Sequence, residues 1–310
     1  MVADMASGCV IGVDLGGTKL LAGTVDPSLH VLHRAHRFAR GTDTAEVLDT
    51  IVDAVREARD AADGDVDAVG FGIPSLIDHE RGVAVTTVHL PIRDLPFRDL
   101  MAERLGLPVF VDNDATAAML AEWHFGAAVG CSDALLLTIG TGIGGGMVVG
   151  GQLARGAQGA AAEFGHMTIE FDGPLCACGS RGCLEAYVSG TALAREARAQ
   201  GLDLTAPQVA ELAHDGDAAA RALVSEMGTR LGAGLANLVN AFNPQIIVVG
   251  GGVIAMGDLL LDPAREELAR RALPPSRDLV RIVPTRFGAE SGMLGAAALA
   301  LDGLAAAATP

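Results

Sequence analysis

The chain has 310 residues, half of them hydrophobic and 19% charged, the make-up of a globular protein with one large or two medium domains. Its formal net charge is −16 and its pI about 4.8. So acidic a chain has no overall field to attract nucleic acid or an anionic membrane, and an anionic ligand must be held by a local device. No secretory leader and no apolar run of about 18 residues is visible. A cytoplasmic protein is therefore expected. In that reducing compartment clustered thiols bind metal more often than they pair.

In chain order, CVIGVDLGGTKLLAGTVD (9–26) reads as strand, Gly-Gly turn and strand. HVLHRAHRF (30–38) supplies a third strand. TAEVLDTIVDAVREARDAA (44–62) carries Val47, Ile51, Val55 and Ala58 at helical spacing. AVGFGIP (68–74) is a buried strand ended by Pro74, 95–106 a helix stopped by Gly106, VFVD (109–112) a strand, and 114–126 a helix directly after it. The second half opens with the same grammar, strand, Gly-rich turn, strand, over 134–153. Helices follow at 206–214, where Thr205 and Gln208 suggest a capping box, and at 218–242. QIIVVGGGV (245–253) is a strand ending in three glycines, followed by a helix (258–272), a strand (279–285) and a last helix (291–301). The repetition predicts a duplicated α/β architecture with a cleft between the halves. The boundary is expected at 113–114, giving a small α/β domain over 1–113 and a large one over 114–310, with the last helix free to pack back on the first half.

Three glycine turns each follow an apolar strand. DLGGTK (14–19) offers backbone N–H groups, the Thr18 hydroxyl and Lys19, the only lysine in the chain. Glycine lets the backbone approach phosphate oxygens, and Asp14 could hold Mg²⁺ through water. TIGTGIGGG (138–146) has the same chemistry, and GGGV (250–253) could pass under a nucleotide base. A hairpin turn alone explains any one of them, and the GxxxxGK[ST] spacing of a P-loop is absent. VFVDND (109–114) puts Asp114 at a strand end and a helix start, where it could act as a helix cap or as a general base.

DLGGTK, VDNDATAA, TIGTGIGGG, EFGH, CACGSRGCLE and IIVVGGGV stand in this order over residues 9 to about 300. In this the chain resembles the ROK family of sugar kinases, on the hexokinase–actin type of ATPase fold. The pairing of EFGH with CACGSRGCLE is the specific part. The resemblance implies ATP with Mg²⁺ and a hexose substrate. It makes Asp114 the base toward the 6-hydroxyl and Asn113 the holder of a neighbouring hydroxyl. By the same resemblance Glu163 and His166 are expected to contact the sugar near carbons 1 to 3, and Glu185 its anomeric end. Asp14, Gly16, Gly17, Thr18 and Lys19, then Thr138, Gly140, Thr141 and Gly142, then Gly250, Gly251 and Gly252, are its nucleotide-binding positions. Homo-oligomers, dimers or tetramers, are usual in the family.

His166, Cys176, Cys178 and Cys183 would make a closed tetrahedral Zn²⁺ site of the structural kind, with Gly179 and Gly182 allowing the tight turns. A redox role and a plain buried cluster are the alternatives. A disulfide is poor because Cys176 and Cys178 are too close in the chain. Cys9 and Cys131 stand apart and read as core.

The chain departs from the family pattern at three places. His89 stands where an Asn usually contacts the sugar, Ser75 replaces a Gly after Pro74, and Ala162 replaces a Gly before Glu163. A neutral imidazole can accept from an ammonium, so glucose and an aminoglucose such as kanosamine are both candidate substrates. N-acetylhexosamine and fructose kinases share the family. So do sugar-responsive repressors, disfavoured because only 13 residues precede Asp14. A polyphosphate-dependent kinase would want a basic groove.

Overall fold

The computed structural model describes residues 8–16, 19–38, 43–87 and 90–308. Strands β1 (Cys9–Leu15), β2 (Leu20–Val25) and β3 (Val31–Arg37) lead into α1 (Thr44–Asp60). Asp43 caps α1 by accepting from the Ala45 N–H, and Val47, Leu48, Ile51, Val52, Val55 and Ala58 form its buried face, as the spacing predicts. Next come β4 (Val66–Ile73), β5 (Ser75–Asp78), β6 (Val83–Thr87), β7 (Arg93–Leu95), α2 (Phe97–Leu105), β8 (Val109–Asn113) and α3 (Asp114–Phe125). Gly106 ends α2 at φ +64°, the left-handed stop that glycine permits.

The rest of the chain forms β9 (Ala134–Ile139), β10 (Ile143–Val149), β11 (Gln152–Leu153), α4 (Gly190–Ala199), α5 (Ala206–His214), α6 (Ala218–Phe242), β12 (Ile246–Gly250), α7 (Asp258–Arg271), α8 (Ser276–Leu279), β13 (Arg281–Pro284) and α9 (Ser291–Ala307). The capping box at Thr205 and Gln208 is present on α5. Among the described residues no helix is long and apolar enough to cross a membrane.

The duplication is visible in the sheets. One has the order β3-β2-β1-β4-β8 and the other β11-β10-β9-β12-β13. In the first, β1 pairs antiparallel with β2 and parallel with β4, and β4 runs parallel to β8. In the second, β9 pairs antiparallel with β10 and parallel with β12, and β12 parallel with β13. The fold is therefore the two-fold repeated α/β architecture that the sequence predicts.

By its internal contacts the chain divides into two units. One takes the residues up to Val129, Leu153–Ala161 and the residues from Glu290 onward. The other takes Gly130–Gln152 and Ala162–Ala289. A boundary at 113–114 would assign α3 to the second unit. The contacts instead group α3 with the first, because it packs along α9 and against β4. The last helix does return to the first half. Its approach is close: a Cβ on Gly70 of β4 would lie 1.8 Å from the Ala296 carbonyl oxygen of α9, so only a bare backbone fits there.

Several elements escape the sequence reading, the short α8 among them. Strands β5, β6 and β7 make a separate three-stranded sheet, β5-β6-β7, from segments too short and too polar for a clear two-residue period. Helix α4 opens on Gly190, a poor helix former, and takes its cap from Ser189, whose hydroxyl accepts from the Ala192 N–H.

Candidate active site

In the first unit the sheet register lines up the acidic positions. Asp14 on β1 pairs with Gly72 on β4, and Gly72 pairs with Asp112 on β8. One residue past Asp112, the chain turns from β8 into α3. Asn113 is the cap, its side-chain oxygen accepting from the Ala115 and Thr116 N–H groups. Asp114 is the first helical residue, and its Oδ1 also accepts from the Ala115 N–H at 2.9 Å. Capping is thus carried largely by Asn113, and Asp114 stands partly buried at the strand end.

Asp14 is partly buried too, and its pKa is raised to about 7, by desolvation first and then by the negative charge of Asp114. The fold brings these two carboxylates into one electrostatic field. The native state holds a proton on Asp14 where the unfolded chain, with its pKa near 3.8, has released it. Stability therefore falls as pH rises from about 4 to about 7, by a few kcal/mol. Asp14→Asn abolishes that slope. Without ligand, the variant's Tm should match the parent's near pH 4 and exceed it by several degrees at pH 8. A parent that matches the variant at pH 8 would mean that the carboxyl carries no such penalty.

At the first glycine turn, the Gly16 N–H donates to the Lys19 carbonyl at 2.8 Å, and the Lys19 side chain is exposed. Gly17 and Thr18, like Val88 and His89, lie outside the described residues.

In the second unit the 139–143 turn is held from two sides. The Gly190 N–H donates to the Gly140 carbonyl at 2.7 Å and the Thr191 hydroxyl to the Thr141 carbonyl at 2.9 Å. From the other side, Glu185 Oε2 accepts from the Ile143 N–H at 2.7 Å. A Cβ on Gly142 would fall 2.4 Å from that same oxygen. Thr138 ends its pairing opposite Gly250 of β12, so the second and third glycine turns leave the sheet side by side. Gly251 has φ +83° and stacks directly on Ile139.

The EFGH segment and the cysteine loop come together in the same unit. His166 Nδ1 lies 3.7 Å from Cys176 Sγ, while its Nε2 lies 3.9 Å from Glu163 Oε2. Cys178 Sγ is 3.7 Å from Cys183 Sγ. The four ligand atoms all lie within 4.8 Å of one another. Bonds of about 2.3 Å to sulfur and 2.0 Å to nitrogen put the corners of a tetrahedron roughly 3.5–3.8 Å apart, so the donor set fits a zinc ion. Burial, and then hydrogen bonds with Cys178 and Cys176, push the Cys183 thiol up to about 12. All five cysteines are free thiols, with Cys131 buried and Cys9 partly so. Gly182, at φ +66°, would drive a Cβ into the Glu170 carbonyl at 1.6 Å, so the loop's return depends on glycine. Glu185 joins this cluster to the second glycine turn, since Cys176 Sγ donates to its Oε1 at 3.8 Å.

The departures from the family pattern have local consequences. Ala162 sits at φ +66°, a left-handed conformation that costs a non-glycine residue about 1 kcal/mol or more. Ser75 is buried, and its hydroxyl donates to the Thr86 carbonyl at 2.8 Å.

Two partners in this region have no sequence signal. His79 and Arg155 both bind the buried carboxylate of Asp112. Neither lies in a motif, and only the fold shows where they meet.

The model of the ROK family matches residues 10–303. The chain is 37% identical to a glucokinase of Streptomyces coelicolor, covering 95% of this chain and 98% of that protein. It is 34% identical to a glucokinase of Thermotoga maritima, over 94% and 96% respectively. Its fold is similar to the crystal structure of a ROK family glucokinase from Streptomyces griseus in complex with glucose and AMPPNP. That likeness has a TM-score of 0.86 and 38% identity, covering 95% of this chain and all of the other. With these matches over nearly its full length, the chain belongs to the ROK family.

Proposed function

We propose that the protein transfers the γ-phosphoryl group of ATP to the 6-hydroxyl of a glucose-like hexose, with Asp114 as general base. The reaction class is ATP-dependent hexose phosphorylation. The observation that carries the reading is the placing of Asp14, on β1 just before the first glycine turn, and Asp114, at the start of α3, about one glycine: Gly72 pairs with Asp14, and a Cβ on it would lie 3.3 Å from the Asp114 Cα. Phosphoryl transfer asks for an aligned acceptor oxygen and neutralised phosphoryl charge more than for covalent help.

Asp114 accepts the 6-hydroxyl proton as that oxygen bonds to the γ-phosphorus and the bond to the bridging oxygen of ADP breaks. Asn113 holds a neighbouring hydroxyl. Glu163, Glu185 and the Nε2 edge of His166 serve the other sugar hydroxyls, carboxylates being strong acceptors for them. The N–H groups of the glycine turns and Lys19 receive the phosphates. Mg²⁺ held near Asp14 would supply the countercharge. His166, Cys176, Cys178 and Cys183 would hold a structural Zn²⁺, because four protein ligands would leave no position for a reacting water. We place the protein in the reducing cytoplasm, as a homo-oligomer.

Glucose and an aminoglucose are the two substrates to compare, because His89 replaces the usual Asn. An ATP-coupled assay over glucose, an aminoglucose, N-acetylhexosamines and fructose should give turnover with one of the first two. Silence with every sugar, with ATP or polyphosphate, would leave a sugar sensor. His89→Asn should shift the kcat/KM ratio of aminoglucose to glucose toward glucose. An unchanged ratio removes His89 from specificity.

A further inference from the structure

The Asp112 carboxylate is 2% exposed, and it lies one residue before the Asn113–Asp114 turn. Its Oδ1 accepts from the Asn113 N–H at 2.8 Å and lies 2.8 Å from His79 Nε2. Its Oδ2 accepts from Arg155 Nε at 2.8 Å. His79 follows β5, and Arg155 comes from the 153–161 segment, which rejoins the first unit after β10 and β11. That segment is seated independently of the ion pair. Gly159, at φ +76°, packs so closely that a Cβ there would lie 2.0 Å from the Ile77 carbonyl oxygen. The Ala161 N–H also closes the segment by donating to the Arg155 carbonyl at 3.0 Å.

A buried carboxylate without partners is costly, and a hydrophobic residue would pack the end of β8 more cheaply. What the charge adds is direction. Three donors from three places in the chain fix one carboxylate, and through the Asn113 N–H that carboxylate fixes the first turn of α3. The Asn113 amide is held further by donating to the Ser75 carbonyl at 3.4 Å, next to the same small sheet. The guanidinium also neutralises the second acid in the row that holds Asp14. We propose that Asp112, clamped by Arg155 and His79, is a positioning residue that sets the Asn113–Asp114 turn for catalysis. This deepens the kinase reading above and rests on it.

The test separates positioning from stability. R155Q leaves a buried charge short of a partner, whereas D112N/R155Q removes both charges, so the double variant should recover much of any lost Tm. Positioning predicts that kcat/KM for the sugar stays down about 100-fold in the double variant. The loss should be shared between kcat and sugar KM, with KM for ATP within two-fold of the parent. His79→Gln, which keeps a donor, should retain activity where His79→Ala loses at least ten-fold. Hydrogen exchange of the 113–116 amides gives a readout independent of turnover, and protection there should fall at least ten-fold in D112N/R155Q. A double variant with parental kinetics and parental exchange would show that the triad serves stability alone. If the parent phosphorylates no hexose, the kinase reading fails while the exchange measurement still decides whether the clamp orders the turn.

Discussion

Asp114→Asn should lower kcat by about 10²–10⁴-fold, the usual contribution of a positioned general base, while Tm stays within a few degrees of the parent. Asn113 accepts from the Ala115 and Thr116 N–H groups, and the amide oxygen introduced by the substitution can still accept from the Ala115 N–H as Asp114 Oδ1 does. The start of α3 is therefore preserved. Removing the Asp114 charge should also lower the pKa of Asp14 part of the way, because desolvation is the larger cause of its rise and the Asp114 charge the smaller. Steady-state kinetics with the best sugar, beside a thermal melt, check both. A variant near the parental rate would place the base elsewhere.

Removing the metal should cost both stability and sugar binding. Structural zinc is coupled to folding. The Cys176 and Cys183 side chains that would hold it are buried, whereas Cys178 is exposed. Chelation, or Cys183→Ser, should lower Tm by about 10 °C or more and raise the sugar KM by roughly 10-fold or more. The sugar effect rests on the proposed role of His166: its ring presents Nδ1 to Cys176 and Nε2 to the Glu163 side, so loss of a metal bound at Nδ1 would free the ring proposed to serve the sugar. Metal analysis should find one zinc per chain in the parent and none in the variant. A zinc-free protein that binds sugar with parental affinity would show that the metal does not orient His166, Glu163 or Glu185 toward the sugar.

Much of this was readable from sequence because strands followed by glycine turns are local signals. The α5 capping box and the Gly106 stop of α2 depend on residues a few positions apart, and both are present. The four candidate metal ligands span only residues 166–183, and the structure groups them. What sequence reasoning missed is non-local or weakly patterned. The β5-β6-β7 sheet is built from strands of five residues or fewer, too short for a period to emerge. The clamp on Asp112 needs His79 and Arg155, which are far apart in the chain and meet only through the β4–β8 pairing and the seating of Gly159. Helix α3 begins as foreseen, yet its unit is decided by packing on α9, where Glu122 and Ser291 meet across 169 positions of chain.

The return of α9 has a consequence for biosynthesis. The first unit begins with β1 at Cys9, but the helix that covers β1 and β4 runs from Ser291 to Ala307. Everything in the second unit leaves the ribosome between them. A nascent chain can therefore finish the second unit while the glycine-lined face of the first sheet still waits for its cover. Ribosome-bound chains halted before residue 290 should expose that face to chaperones, and the later-made α9 should complete a sheet whose strands were made long before it.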